Sequence, residues 1–411
     1  MHIDFYFDET FHDRKITIKS NGTINTFRHD ANDCYIGVFL GIENTKKSSF
    51  LKRLYILESE YSKRYGIETE FKSTTIDKKN FHYGIRSFNK NAIDFYTDYF
   101  KVLETFSPII HINALSKTEW LLRNIFDKYV LSKMSVSPDS FYYSLTKFIL
   151  IYHDENLIHA IYESSKRKDP RLFQEALLNQ IEIVLTAIKG IIRKQKEIPA
   201  FKALYHIIES YQFTQAIEEK YDFIYFQNFD GLINLLKEKK ISIKKINLGI
   251  DNEENTYRAA MKYPFKKIKQ TDSKNCIQIR AVDHLCGFIG RMVFALIHDE
   301  TMKEDEIVNI NQIAENDLET KRLLNTKWFD LEEKHFNLYF LIFKVLMAQQ
   351  QAYWAAMTWS YGDQIVMFYS LLNYITSFNN YGSFKKYTPE QHVEYYNKMC
   401  CGKLEEIYRK F

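Results

Sequence analysis

SIKKINLGID, residues 242–251, is the stretch on which the fold turns. It reads as a short strand ended by an aspartate, and it follows a long segment with no strand signal at all. From about Lys117 to Glu238 nearly every segment reads as helix. Phe173, Leu177, Ile181, Val184, Ile188 and Ile191, for example, form one clean stripe at helical spacing. A strand that returns after such a segment must rejoin a sheet begun earlier, because connections in one domain leave and re-enter the same core. The expected partner is the opening strand in HIDFYFDET, residues 2–10, which also ends in an acid, Asp8.

The first part of the chain supplies that sheet. IDFYFDE, KITIKS and CYIGVFLGI are short β-branched and aromatic runs, separated by HDR and by NGTINTFRHDAND with its Asn-Gly turn signal. Helical spacing of Leu51, Leu54, Tyr55 and Leu57 predicts a helix over Phe50 to Tyr65, and a second is expected from Asn91 to Glu104. SPIIHINAL then reads as a buried strand. Strand, strand, strand, helix, strand is the order of a mixed sheet in an α/β layer protein. The chain therefore divides into an α/β part over 1–116, a helical insertion over 117–239, the return of the α/β part over 240–300 and a helical region over 301–411. In the last of these, HFNLYFLIFKVLMAQQQAYWAAMTW and GDQIVMFYSLLNYITSF read as a hydrophobic helix pair in a C-terminal bundle. Its apolar surface, with Phe340, Phe343, Trp354, Trp359 and Phe368, predicts docking on the insertion, on a protein partner or on a second copy of the chain.

Composition narrows the function classes. Hydrophobic residues make up 45% and charged residues 26% of the 411, which is ordinary for a globular protein. The net charge of +4 suits an anionic partner but is far from that of a dedicated DNA-binding domain. Five cysteines without a C-x-x-C pair, and no apolar leader, predict a reduced, cytoplasmic setting. The most apolar run, Leu338 to Ala348, contains Lys344 and is too short to span a bilayer, so no membrane association is expected. No G-x-S-x-G elbow, no G-x-x-x-x-G-K-[ST] phosphate loop and no H-E-x-x-H motif is present.

What the chain does carry is a set of acids at far-apart positions: Asp8, Glu70 in ETEFKST, Asp251, and Asp283 in IQIRAVDHLCGFIGRM. Like charges oppose each other's ionisation, so carboxylates gather mainly where a cation lies among them. Asp283 is the most telling, since Val282, Leu285, Phe288 and Ile289 surround it on an otherwise apolar helix. The bland reading of Asp8 and Asp251 is a turn or cap residue, and that of Glu70 a solvated surface acid.

These segments carry a resemblance. FYFDET resembles the Y-x-D-E-S opening strand of the domain-of-unknown-function 3800 family. EFKSTT resembles its E-x-K-[GS] segment, and TDSKNCIQIRAVDHLCGFIGR its D-S-K…Q-x-A-D-x-x-A-G helix, with INLGIDNEEN in the place of its penultimate Asp-ended strand. Thr10 stands for the family's Ser, and Val282 intervenes between Ala281 and Asp283, while Gly287 falls at the expected four-residue distance. The resemblance covers residues 1–115 and 240–300 and implies a ribonuclease H-like mixed sheet. It implies a nuclease site in which Asp8, Glu70, Asp251 and Asp283 hold two Mg2+ or Mn2+ ions, with Lys72 neutralising substrate phosphate. Glu9, His12, Lys274 and His284 are auxiliary candidates. The basic runs at 166–171, 237–245 and 266–269 are candidate flanks for an RNA or DNA substrate, the last two because they bracket Asp251 in sequence. The expected function is a metal-dependent nuclease, in the setting of a bacteriophage-defence or toxin effector. The alternative is a ribonuclease H-like scaffold that works through its helical regions without catalysis.

Overall fold

The computed structural model describes residues 2–10, 33–191, 194–213, 226–299, 324–348, 352–356 and 359–408. The expected strand KITIKS and its Asn-Gly turn lie outside the described residues. A mixed sheet is built from β1 (Ile3–Thr10), β2 (Cys34–Glu43), β4 (Ile109–Ser116), β5 (Ile246–Ile250), β6 (Lys267–Gln270) and β7 (Ala352–Ala356), in the order β6-β5-β1-β2-β4-β7. A further short strand, β3 (His82–Ile85), precedes the helix Lys90–Phe106.

The strand announced by SIKKINLGID joins the sheet as expected. β5 lies parallel to β1, with Ile3 opposite Ile246 and Phe7 opposite Ile250. On its other side β1 pairs antiparallel with β2, and β2 antiparallel with β4. Two parallel strands thus extend one side of β1 and an antiparallel pair the other. β2 sits between two neighbours with both faces covered, and nine of its ten residues are buried. That is why CYIGVFLGI is apolar without alternation.

In β1 the two parities go to different cores. Ile3, Phe5 and Phe7 pack with Phe229, Leu232, Leu235 and Leu236 of the helix Phe226–Glu238. Tyr6 shares the opposite face with the helices Asn44–Tyr65, Lys90–Phe106 and Ile277–Ile297. The first two run longer than predicted, by six residues at the start of one and by a few at the ends of the other. Asn89 caps the second by accepting from the Ala92 amide at 2.9 Å.

Residues 117–210 are helical wherever they are assigned regular structure, and Leu121 to Tyr211 gather a separate apolar cluster around the predicted stripe of Phe173, Leu177, Ile181, Val184 and Ile188. The C-terminal part differs from expectation. Ala352–Ala356 is not helical but a strand, β7, lying parallel to β4 with Ile112 opposite Trp354. Alanine favours helix, yet the open edge of β4 offers a full row of backbone partners, and that tertiary term overrides propensity. The preceding helix, Glu333–Phe343, unwinds first through a π-turn at Lys344–Ala348. Trp328, Phe336, Tyr339, Phe368 and Tyr396 pack into the same cluster as the sheet. The helix Trp359–Thr376 meets the helical segment through Asp363, which pairs with Lys147 and accepts from the Tyr143 hydroxyl at 3.1 Å. Among the described residues no helix is long and apolar enough to cross a membrane.

Candidate functional site

Register brings the first two acids together. Phe7 and Ile250 are opposite, so the next residues, Asp8 and Asp251, emerge side by side at the carboxyl ends of adjacent parallel strands, on the face shared with Tyr6. The carboxyl ends of sheet strands are where open α/β folds bind ligands. Asp283 comes to the same place from the helix Ile277–Ile297, which packs across that face. Asp8 feels this company. Its pKa is raised well above the ordinary carboxylate value, first by burial, then by the charge of Asp283, with smaller contributions from Glu9 and Asp251. The Glu9 amide, donating to Asp8 Oδ1 at 2.8 Å, opposes that shift.

Asp283 and Asp251 are held by backbone. The Ser73 amide donates to Asp283 Oδ2 and the Ser73 hydroxyl to Oδ1, both at 2.7 Å. Asp251 Oδ1 accepts from the amides of Asn252 at 2.8 Å and Ser273 at 3.1 Å. Gly287, one helical turn beyond Asp283, makes the Ser73 contact feasible. A Cβ there would stand 2.5 Å from Ser73 Oγ, so any larger residue would push the serine off the helix.

Glu70 and Lys72 enter from the same loop. Lys72 Nζ lies 3.3 Å from Glu70 Oε2. Burial alone would depress the Lys72 pKa, but the hydrogen bond and charge of Glu70, with Asp251 and Asp283 behind it, raise it instead. The Glu70 side chain is only 9% exposed, and its second oxygen, Oε1, is buried with no hydrogen-bond partner. A buried carboxylate oxygen without a donor is a costly arrangement that a cation would relieve.

The auxiliary candidates are dispersed. Glu9 projects to the other side of β1, where Oε2 accepts from the Tyr35 hydroxyl at 2.6 Å, and that hydroxyl accepts from Asn228. His284 points away from the acids into the core. Its Nε2 is 3.1 Å from the Phe71 carbonyl, its ring packs on Phe95, and burial lowers its pKa to about 4. Lys274 is exposed, next to Ser273. His12 lies outside the described residues. Of the basic runs that bracket Asp251 in sequence, Lys244 and Lys245 precede β5 and Lys266 precedes β6, at the opposite end of these strands from Asp251, whereas Lys269 lies in β6 opposite Gly249, two residues before it.

The donors are all oxygen, and hard divalent ions such as Mg2+ and Mn2+ prefer such donors. Among the described residues, no three His, Cys, Asp or Glu side chains form a group that could hold a metal ion as they stand. The sequence pointed to the four acids and Lys72 but not to Ser73 and Ser273, whose amides meet Asp283 and Asp251. The serines were visible in EFKST and TDSKN, immediately beside the candidate residues. No protein-family model, curated protein or solved structure matches the chain.

Proposed function

We propose that the chain is a metal-dependent nuclease on a ribonuclease H-like sheet, as the resemblance to the domain-of-unknown-function 3800 family implies. The observation that carries this reading is the meeting of Asp8, Asp251 and Asp283, from two strands and a helix distant in sequence, closely enough that Asp283 and Asp251 both oppose ionisation of Asp8. The strand order supports it as well: β5 and β6 parallel to β1 on one side, with β2 antiparallel to β1 and β4 antiparallel to β2 on the other, fit a ribonuclease H-like layout.

In this reading Asp8, Asp251, Asp283 and Glu70 hold Mg2+ or Mn2+. The ion, when bound, lowers the pKa of an attacking water and neutralises charge on the phosphate. The protein's own contribution is orientation and charge. The Ser73 and Ser273 amides fix the carboxylates, and Lys72 is a cation at the edge of the cluster able to meet a phosphate oxygen. The helical segment 117–239 and the C-terminal region would select substrate or partner.

The test is cleavage of single- and double-stranded RNA and DNA with Mg2+, Mn2+ or EDTA. Wild type should cut in a metal-dependent way, and Asp8→Asn, Asp251→Asn and Asp283→Asn should each lose roughly a hundredfold or more. Glu70→Gln should act in the same direction more mildly. Cutting that survives all three Asn substitutions would refute the reading. A second reading is a scaffold that binds without cleaving, and it fits the finding that, among the described residues, no three His, Cys, Asp or Glu side chains stand as a metal-holding group. It predicts nucleic-acid or protein binding unchanged by the same substitutions.

A further inference from the structure

The two turns that hold the carboxylates are built alike. Ser73 opens the 3-10 turn Ser73–Thr75 and Ser273 opens Ser273–Asn275; one serine amide grips Asp283 and the other Asp251. A three-residue turn of this kind has few internal hydrogen bonds, and those of poor geometry, so it does not hold a position by itself. Each is fastened by an arginine of the helix Ile277–Ile297.

Arg280 Nη1 donates to the carbonyls of Ser273 and Lys274, the second at 3.0 Å. Its Nη2 donates to Glu58 Oε2 at 2.9 Å, which ties it to the helix Asn44–Tyr65. Arg291 Nη1 donates to the Ile76 carbonyl, just past the other turn, at 2.5 Å. Its Nε donates to the Gly287 carbonyl at 2.9 Å, and its guanidinium lies 4.4 Å from the centre of the Phe81 ring. Residues 280 and 291 are eleven apart in sequence. At 3.6 residues per turn that places them only about 20° apart around the helix, on one stripe with Gly287 between them.

We infer that Arg280 and Arg291 are positioning residues of this site, each setting one carboxylate, Asp251 or Asp283, through the serine turn it fastens. The inference rests on the proposed metal site for its consequence, though not for its geometry. A rigid fork of donors suits the task, since one guanidinium holds two carbonyls or a carbonyl and a carboxylate in a fixed plane, whereas the ammonium of lysine is a rotatable point charge without that fork. Holding the acids in a fixed arrangement lowers the cost of ordering them when an ion binds.

The experiment uses full-length Arg280→Lys and Arg291→Lys, which keep charge and lose the fork. Amide hydrogen exchange should speed up about tenfold over residues 272–276 in Arg280→Lys and over residues 72–77 in Arg291→Lys, each sparing the other turn. Mn2+ binding, measured by calorimetry, should weaken about tenfold in both. Cleavage should regain most of its kcat as Mn2+ is raised, which a purely structural defect would not allow. Glu58→Gln, which removes only the outer anchor of Arg280, should reproduce the Arg280→Lys pattern more weakly and serves if that variant fails to fold. Unchanged Mn2+ affinity in both variants, with wild type binding normally, would overturn this inference and leave the proposed function standing. So would exchange that accelerates across the whole chain. Wild type that takes no Mn2+ would overturn the proposed function itself.

Discussion

At the scale of single residues, Asp8 and Gly287 make opposite kinds of prediction. The folded chain holds the Asp8 proton more tightly than an unfolded chain does, because burial and the charges of Asp283, Glu9 and Asp251 oppose ionisation. Its contribution to stability is therefore favourable in acid and is lost as pH rises through the folded pKa. Asp8→Asn should raise the melting temperature in EDTA at neutral pH, and the gain should shrink as pH falls toward 4, near the unfolded carboxylate pKa. A gain independent of pH would contradict this origin. Gly287→Ala works by sterics: its Cβ would meet Ser73 Oγ at 2.5 Å. It should cost about 1–3 kcal/mol in urea unfolding through overpacking, and should weaken Mn2+ binding by releasing Asp283. The acids were legible in the sequence because a charge in an apolar helix, as at Asp283, has few uses. The roles of Ser73 and Arg291 were not, although Ser73 stands in EFKST, because they come from contacts with residues more than two hundred positions away.

At the scale of elements, the helix Phe226–Glu238 shows how a local cost can mark a close approach. Gly231 lies inside it, where alanine would favour the helix by ~1 kcal/mol. A Cβ at Gly231 would stand 2.7 Å from both Asn113 Oδ1 and His111 Cε1 on the buried strand β4. Overpacking a buried site costs about 1–3 kcal/mol, so the steric effect should win. Gly231→Ala should lower the urea midpoint by an amount worth ~1 kcal/mol; a stabilised variant would show that the helix does not press on β4. Most elements could be read from periodicity, including β5, whose return after the long helical segment joined the two halves of the sheet. β7 could not. Alanine-rich AYWAA reads as helix until the open edge of β4 is known, and edge pairing is not encoded within five residues.

At the scale of the whole molecule, acid stability follows from four buried histidines. His111, His284, His335 and His392 each have a pKa lowered to about 4, with burial as the leading cause. The unfolded chain would bind protons at these sites from about pH 6.5 downward while the folded chain would not. The histidine contribution should therefore be level above that pH and turn unfavourable as pH drops toward 4, with Asp8 offsetting only part of the loss. Unfolding at pH 5 should take up protons, measurable by calorimetry in buffers of different ionisation heat; net proton release would contradict the assignment. The measurement that bears most directly on the central claim is calorimetric titration of Mn2+ into wild type and Asp8→Asn. The account predicts saturable binding by wild type that is lost when Asp8 is replaced. No binding by wild type, or equal binding by both, would contradict it.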